Sequence, residues 1–159
     1  LSRIESDLSP LHIADALVRS GLGISAVGLE MNVGYHPLGT ALYDLLDVSR
    51  KIDHWSLLGL PLIIQLSVPS SAGDDPQSRQ SSRPTIRGGD ESQGSDVQSA
   101  WLRHYLPMLM AKPAVRGIVW NQLRDAEAHD FPHGGLLDGE DRPKPALAYL
   151  EEMRRQHLA

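Results

Sequence analysis

The sequence predicts an α/β fold made of parallel β/α units, on three observations. Three short apolar runs, residues 24–29 (ISAVGL), 60–68 (LPLIIQLSV) and 117–120 (GIVW), lack apolar–polar alternation and read as strands covered on both faces. Stretches with apolar residues at helical spacing separate them, an alternation that closes through parallel crossovers. Each run also empties into a polar loop, where α/β folds place their sites.

The elements follow in order. Residues 1–8 carry no pattern. Ser9 and Pro10 read as an N-cap and first helical position, and Leu11, Ala14, Leu17 and Val18 continue at helical spacing until Gly21 and Gly23 stop it. The first strand ends at Glu30, and Asn32, Gly34, Tyr35, His36, Pro37 and Gly39 form the loop after it. A second helix is expected over 40–58, with Leu42, Leu45, Leu46, Ile52, Trp55 and Leu58 as its apolar stripe and Gly59 as its stop. The second strand terminates at Pro69-Ser70-Ser71. Residues 71–96 are Ser, Gly, Asp, Gln, Arg and Pro with little apolar content beyond Ile86, and read as a long flexible, solvated loop inserted after that strand. A third helix over 97–110 buries Trp101, Leu102, Tyr105, Leu106 and Leu109, with Pro107 expected to kink it or end its regular part. After the third strand and its loop, a closing helix over 145–156 turns Leu147, Leu150 and Met153 inward and Glu151, Arg154 and Arg155 outward.

The 159 residues fit one domain, 1–159, or part of a larger one. A net charge of -5 without a basic run argues against a nucleic-acid partner. No apolar stretch reaches the roughly 18 residues a membrane span needs. The absence of cysteine excludes disulfides and thiolate metal sites. The chain opens on Leu1 with no signal-peptide pattern, which suggests a fragment or processed product. Three strands leave sheet edges unprotected, and a (β/α)8 barrel takes about 250 residues. Barrel material of this length is therefore expected to be the last three or so units.

Three blocks, in order, resemble the C-terminal half of family-10 glycoside hydrolases, the xylanase-type (β/α)8 barrels. Residues 23–30 (GISAVGLE) are similar to the family's sixth strand, "DGVGLQ", and 58–67 (LGLPLIIQLS) to its seventh, "LGLPI-ITELD". Residues 115–120 (VRGIVW), followed by Gly135-Leu136-Leu137-Asp138 and Arg142-Pro143-Lys144-Pro145-Ala146, resemble the eighth strand "V-G-TVWG" and the "LLFD…PKPAY" exit. The resemblance implies a TIM-type barrel, a carbohydrate partner, no cofactor, and a secreted or periplasmic setting. In the complete protein it implies hydrolysis of O-glycosyl bonds in a β-linked, xylan-type polysaccharide.

The departures concern catalysis. Gln65 stands at the family's nucleophile position, Asn32 at that of its His after the sixth strand, and Arg124 at the spacing of its Asp, with Asp125 one residue later. Retaining hydrolysis needs two carboxyl groups about 5–5.5 Å apart, and an amide cannot carry a glycosyl ester. A non-catalytic carbohydrate-binding or scaffold barrel is the alternative. Glu30, at a strand end, is the candidate catalytic carboxylate; the plain alternative is a structural Glu paired with an Arg or hydrogen-bonded to a neighbouring loop. Trp120 is a candidate sugar platform, or else core filling, with Asn121 and Gln122 as polar neighbours. Asn32, Tyr35, His36, Asp125, His129 and His133 complete the candidate substrate-binding set. His129 and His133 are four apart, but in a Gly- and Pro-containing loop rather than a helix, so no metal is expected.

Overall fold

The computed structural model describes residues 9–35, 44–80, 83–86 and 96–157. His36, the start expected for the second helix and part of the 71–96 segment lie outside them. The described elements are α1 (Pro10–Arg19), β1 (Val27–Asn32), α2 (Leu45–Ser56), β2 (Leu62–Ser67), α3 (Asp96–Met110), β3 (Val115–Trp120) and α4 (Pro145–His157). The strands form one parallel sheet in sequential order, β1-β2-β3. No helix among the described residues is long and apolar enough to cross a membrane.

Side chains of a strand alternate between the two faces of its sheet, and the central strand separates them by chemistry. Leu62, Ile64 and Leu66 are fully buried. They share a core with Met31 of β1, Val48 and Ile52 of α2, Leu102, Tyr105, Leu106 and Leu109 of α3, and Ala146, Tyr149 and Met153 of α4. All three helices thus cover one face. Sequential strands with every crossover on that side is the singly wound arrangement of barrels, not the doubly wound one with helices on both faces.

The expectation of strands covered on both faces is therefore corrected. Register pairs Glu30 with Gln65 and Gln65 with Val119 on the other face. There Gly28 and Glu30 are exposed, Gln65 is half-buried, and Val119 is 47% exposed. In a closed barrel this is the inner face, filled by side chains from the strands opposite.

Four other expectations change. The stripe of α1 finds no cover: the helix buries no residue, and Leu17 is exposed. In α2, Leu46 points outward while Val48 and Ile52 supply the buried positions. Pro107 does not end α3, which runs on to Met110 with the prolyl ring on its exposed side. The turns around it are held by Leu106 and Leu109 in the core. In α4 the fully buried side is Ala146, Tyr149 and Met153, and Leu147 and Leu150 flank it. Arg103 of α3 sits 4.5 Å from the Tyr149 ring centroid, a cation–π contact across the α3–α4 interface.

The one-sided core makes a testable contrast. Ile64→Ala is expected to cost about 3 kcal/mol, as buried Ile truncations do, whereas Val119→Thr on the open face should stay within about 0.5 kcal/mol. Urea midpoints of the two variants check it; equal losses would mean that both faces are packed.

Candidate functional site

Strand alternation puts Glu30, Gln65 and Val119 in one row of the open face, with Asn32, Ser67 and Asn121 in the next row toward the C-terminal ends. Asn121 extends the pattern past β3 by donating its backbone N–H to the Leu66 carbonyl at 3.0 Å. The second row is hydrogen-bonded across the sheet. The Asn121 amide donates to Ser67 Oγ at 2.9 Å and to Asn32 Oδ1 at 3.3 Å. The Asn32 amide in turn donates to Glu30 Oε2 at 3.1 Å. Among the described residues Glu30 has no ion pair, and Asn32 is its hydrogen-bond partner.

Gln65 lies beside Glu30 in register. An amide can donate to and accept from a hydroxyl but offers no nucleophilic oxygen. Among the described residues of this face Glu30 is the only carboxylate, so the face alone lacks the pair that retaining hydrolysis requires.

Trp120 takes the core-filling alternative, which the fold favours over the sugar platform. It pairs with Leu66 in register and packs with Ile118 against the helix-side core. Its indole N–H donates to the Gly134 carbonyl at 2.9 Å. Strand parity, which sets Trp120 opposite to Val119 and Asn121, turns the ring away from the open face. It fills core rather than offering a sugar platform on that face.

The other candidates form a separate buried knot joining the loops after β2 and β3. Lys144 and Asp125 are an ion pair with side chains only 5% and 8% exposed. Lys144 Nζ also donates to Ser70 Oγ at 2.9 Å and to the His133 carbonyl at 3.1 Å. Asp125 Oδ1 accepts from Gln122 at 2.8 Å and from the Gly135 N–H at 2.7 Å. A Cβ at Gly135 would lie 2.5 Å from that oxygen, so glycine is required there. Gln98, fully buried in α3, donates to the carbonyls of Val68, Gly134 and Gly135.

Asp75 ties the other end. Its side chain is 4% exposed. It accepts from the His133 N–H at 2.7 Å and the Gln77 N–H at 3.0 Å, and meets His129 Nε2 at 3.0 Å. Burial alone would raise its pKa. The N–H groups of His133 and Gln77, the nearby His133 ring and the His129 contact outweigh burial and hold it below the ordinary carboxylate value. His133 takes a left-handed backbone (φ 54), a conformation costly for a non-glycine residue that these bonds hold in place. Asp75 thus pins residues 71–80 at one point, while Asp74, Pro76, Gln77 and Arg79 stay exposed. Near 83–86, the Thr85 N–H donates to the Gly34 carbonyl at 2.8 Å. Gly34 has φ +78, and a Cβ there would lie 2.3 Å from the Thr85 oxygen.

Tyr35 belongs to the same knot, donating to the Pro132 carbonyl at 3.0 Å. Burial first, then Asp125 and Asp75, push its pKa well above the usual phenol value, so it stays neutral and cannot act as a base. A cleft of about 420 Å³ opens beside Ser70, Asp75, Asp125, His133 and Lys144. Most of their polar atoms bond one another, so among the candidates Asp125 and His133 border this cleft while engaged in the knot. Among the described residues no group of His, Asp and Glu has the arrangement of a metal site.

Sequence reasoning missed Ser67, Ser70, Asp75 and Lys144. Ser67 was findable, since it lies two residues after Gln65 and shares its face. Asp75 was not, because nothing local separates it from Asp74, which is mostly exposed and pairs with Arg83.

Two outcomes test the knot. Lys144→Met strands Asp125 and is expected to cost about 3 kcal/mol, while pairing it with Asp125→Leu recovers much of the loss, as buried pairs do. Asp75→Asn is expected to lower stability by about 2 kcal/mol near neutral pH, the scale of hydrogen bonds to a charged group. Because the folded carboxyl titrates below its unfolded value, that contribution is in place above the ordinary carboxylate range. It vanishes as pH falls through the lowered value. Urea curves for wild type and Asp75→Asn should converge in acid; a constant gap would contradict the assignment.

No family model and no curated protein matches the chain. Solved structures do. Xylanase 10B from Thermotoga maritima aligns at TM-score 0.63 and 17% identity, over 92% of this chain and 41% of that one. Xylanase 10B from Thermotoga petrophila RKU-1, in complex with xylobiose, aligns at 0.62 and 17%, over 92% and 41%. The β-glucuronidase of Bifidobacterium dentium, complexed with coumarin-3-O-glucuronide, aligns at 0.56 and 17%, over 81% and 20%. The chain spans about two fifths of the length of the xylanases it matches. The chain shares the fold of one stretch of the (β/α)8 barrels of these glycoside hydrolases.

Proposed function

We propose that this chain supplies the sugar-facing inner surface for strands six to eight of a glycoside hydrolase-like barrel acting on a β-linked, xylan-type polysaccharide. The observation that carries this reading is the convergence of Glu30, Asn32, Gln65, Ser67 and Asn121 on one open face at the C-terminal ends of parallel strands. That end is where barrels of this type bind and react. The T. petrophila xylanase holds xylobiose, which supports a neutral β-linked sugar as ligand. Amide and hydroxyl side chains match the donor and acceptor hydroxyls of such a sugar.

Glu30 is the carboxylate available on this face, and in the complete protein it would act with a second carboxyl group from another strand. Gln65 favours a second reading, a barrel that retains sugar binding and has lost hydrolysis. The two separate cleanly. Xylo-oligosaccharide binding, measured by calorimetry, is expected to fall at least tenfold in a Gln65→Ala, Asn121→Ala double variant, about the worth of one or two hydrogen bonds. The 159-residue chain alone is expected to release no reducing sugar from xylan. In the full-length protein, loss of turnover in Glu30→Gln supports catalysis; unchanged turnover removes Glu30 from the reaction and leaves the binding reading.

A further inference from the structure

We propose that Asn121 and Asn32 are positioning residues, a relay of two amides that fixes the orientation of the Glu30 carboxylate from across the sheet. The proposal deepens the sugar-facing assignment of this surface and rests on it for its function, though not for its geometry.

The sense of the relay follows from donor and acceptor inventory. An ionised carboxylate only accepts, so Asn32 must turn its NH₂ toward Glu30 Oε2, at 3.1 Å. That choice leaves Asn32 Oδ1 facing Asn121, at 3.3 Å, and an amide oxygen also only accepts. Asn121 must therefore present its own NH₂. Its two hydrogens are divided between Asn32 Oδ1 and Ser67 Oγ, the latter at 2.9 Å. Ser67 is 1% exposed and Asn32 8%, so the middle of the chain is anchored in the sheet away from water, where hydrogen bonds polarise one another, while its two ends, Asn121 and Glu30, are exposed. Glu30 is exposed and would otherwise sample many rotamers. The relay restricts it to the one that meets Asn32, whose Cα follows two residues later on the same face.

The residues come from all three strands: Glu30 and Asn32 from β1, Ser67 from β2, and Asn121 at the exit of β3. The orientation of Glu30 therefore depends on correct parallel register across the sheet. Flipping Asn121 would set two amide oxygens against each other and drive Asn32 to flip too, placing an oxygen against the carboxylate.

Side-chain amide resonances of the ¹⁵N-labelled chain test the relay directly. Asn121→Ala is expected to shift the Asn32 NH₂ signals and speed their solvent exchange about tenfold. Asn121→Asp, which can offer only acceptors to Asn32 Oδ1, is expected to perturb Asn32 more than Ala does. Glu30→Ala should move the Asn121 NH₂ signals although the two side chains are not bonded. A merely structural Asn121 would give Asp and Ala the same effect on Asn32 and would not respond to Glu30→Ala; either result overturns the relay. Should either Asn121 variant unfold, Ser67→Ala, which removes its anchor, is expected to shift both Asn signals, and no shift refutes the proposal. Xylohexaose binding forms a separate arm: Asn121→Ala should weaken it about tenfold. Absence of wild-type xylohexaose binding would sink the sugar assignment while the resonances still decide the relay.

Discussion

The division of the central strand into two chemically different faces is the constraint on which the rest depends. Leu62, Ile64 and Leu66 put three fully buried side chains toward the helices. At roughly 1.5–3 kcal/mol each for complete burial, they fix which way β2 faces. A one-residue slip would exchange them for Ile63, Gln65 and Ser67 and bury an amide and a hydroxyl without partners. The same parity, carried by register into β1 and β3, sends Glu30, Asn32, Val119 and Asn121 to the open side and Trp120 to the core side. The candidate site is thus a consequence of core packing, because the polar residues occupy the face the core does not use.

A second layer of order comes from charge rather than apolar area. Lys144 precedes α4, Asp125 lies in the loop after β3, and Ser70 follows β2. Their mutual bonds close the C-terminal end of the sheet on its helix side. Asp75 extends the closure by holding His129 and the His133 backbone. A buried ion pair earns little net stability over an apolar substitute but is costly to break on one side only. Its effect here is specificity: it selects one arrangement of two long loops that have few apolar residues to pack. Beyond Asn121, which opens the loop after β3, their bonded polar groups belong to the knot. In the loop after β3, His129 and His133 are committed to Asp75, and Asp125 to Lys144.

The split between the two polar clusters explains which site residues were legible. Glu30, Asn32, Gln65 and Asn121 sit at strand ends, where one rule of alternation and one rule of barrel geometry suffice. Trp120 obeyed the same alternation, but its parity relative to Gln65 depends on how β3 registers against β2. A register shift between Leu62 and Ile63 intervenes there, invisible in either segment alone. His129, His133 and Asp75 are 54 and 58 residues apart along the chain in their contacts. No local pattern reports such a pairing. Composition read residues 71–80 as solvated, which holds for Asp74, Pro76, Gln77 and Arg79, but it cannot see that Asp75 among them finds backbone donors.

The sequence by itself determined the parallel β/α order, the strand positions to within a few residues, and the helix-side apolar stripe of α3. Those follow from periodicity and short-range propensity, which are properties of neighbouring residues; the barrel kinship came instead from the resemblance of three sequence blocks, in order, to a known family. The tertiary structure decided the rest. It covered one face of the sheet and left the other open, turned Trp120 into core, tied Asp75 to the far loop, and joined Asn121 to Glu30 through Asn32. Each of these is set by register and by long-range donor–acceptor matching, where the partner of a residue is chosen in space and not by its place in the chain.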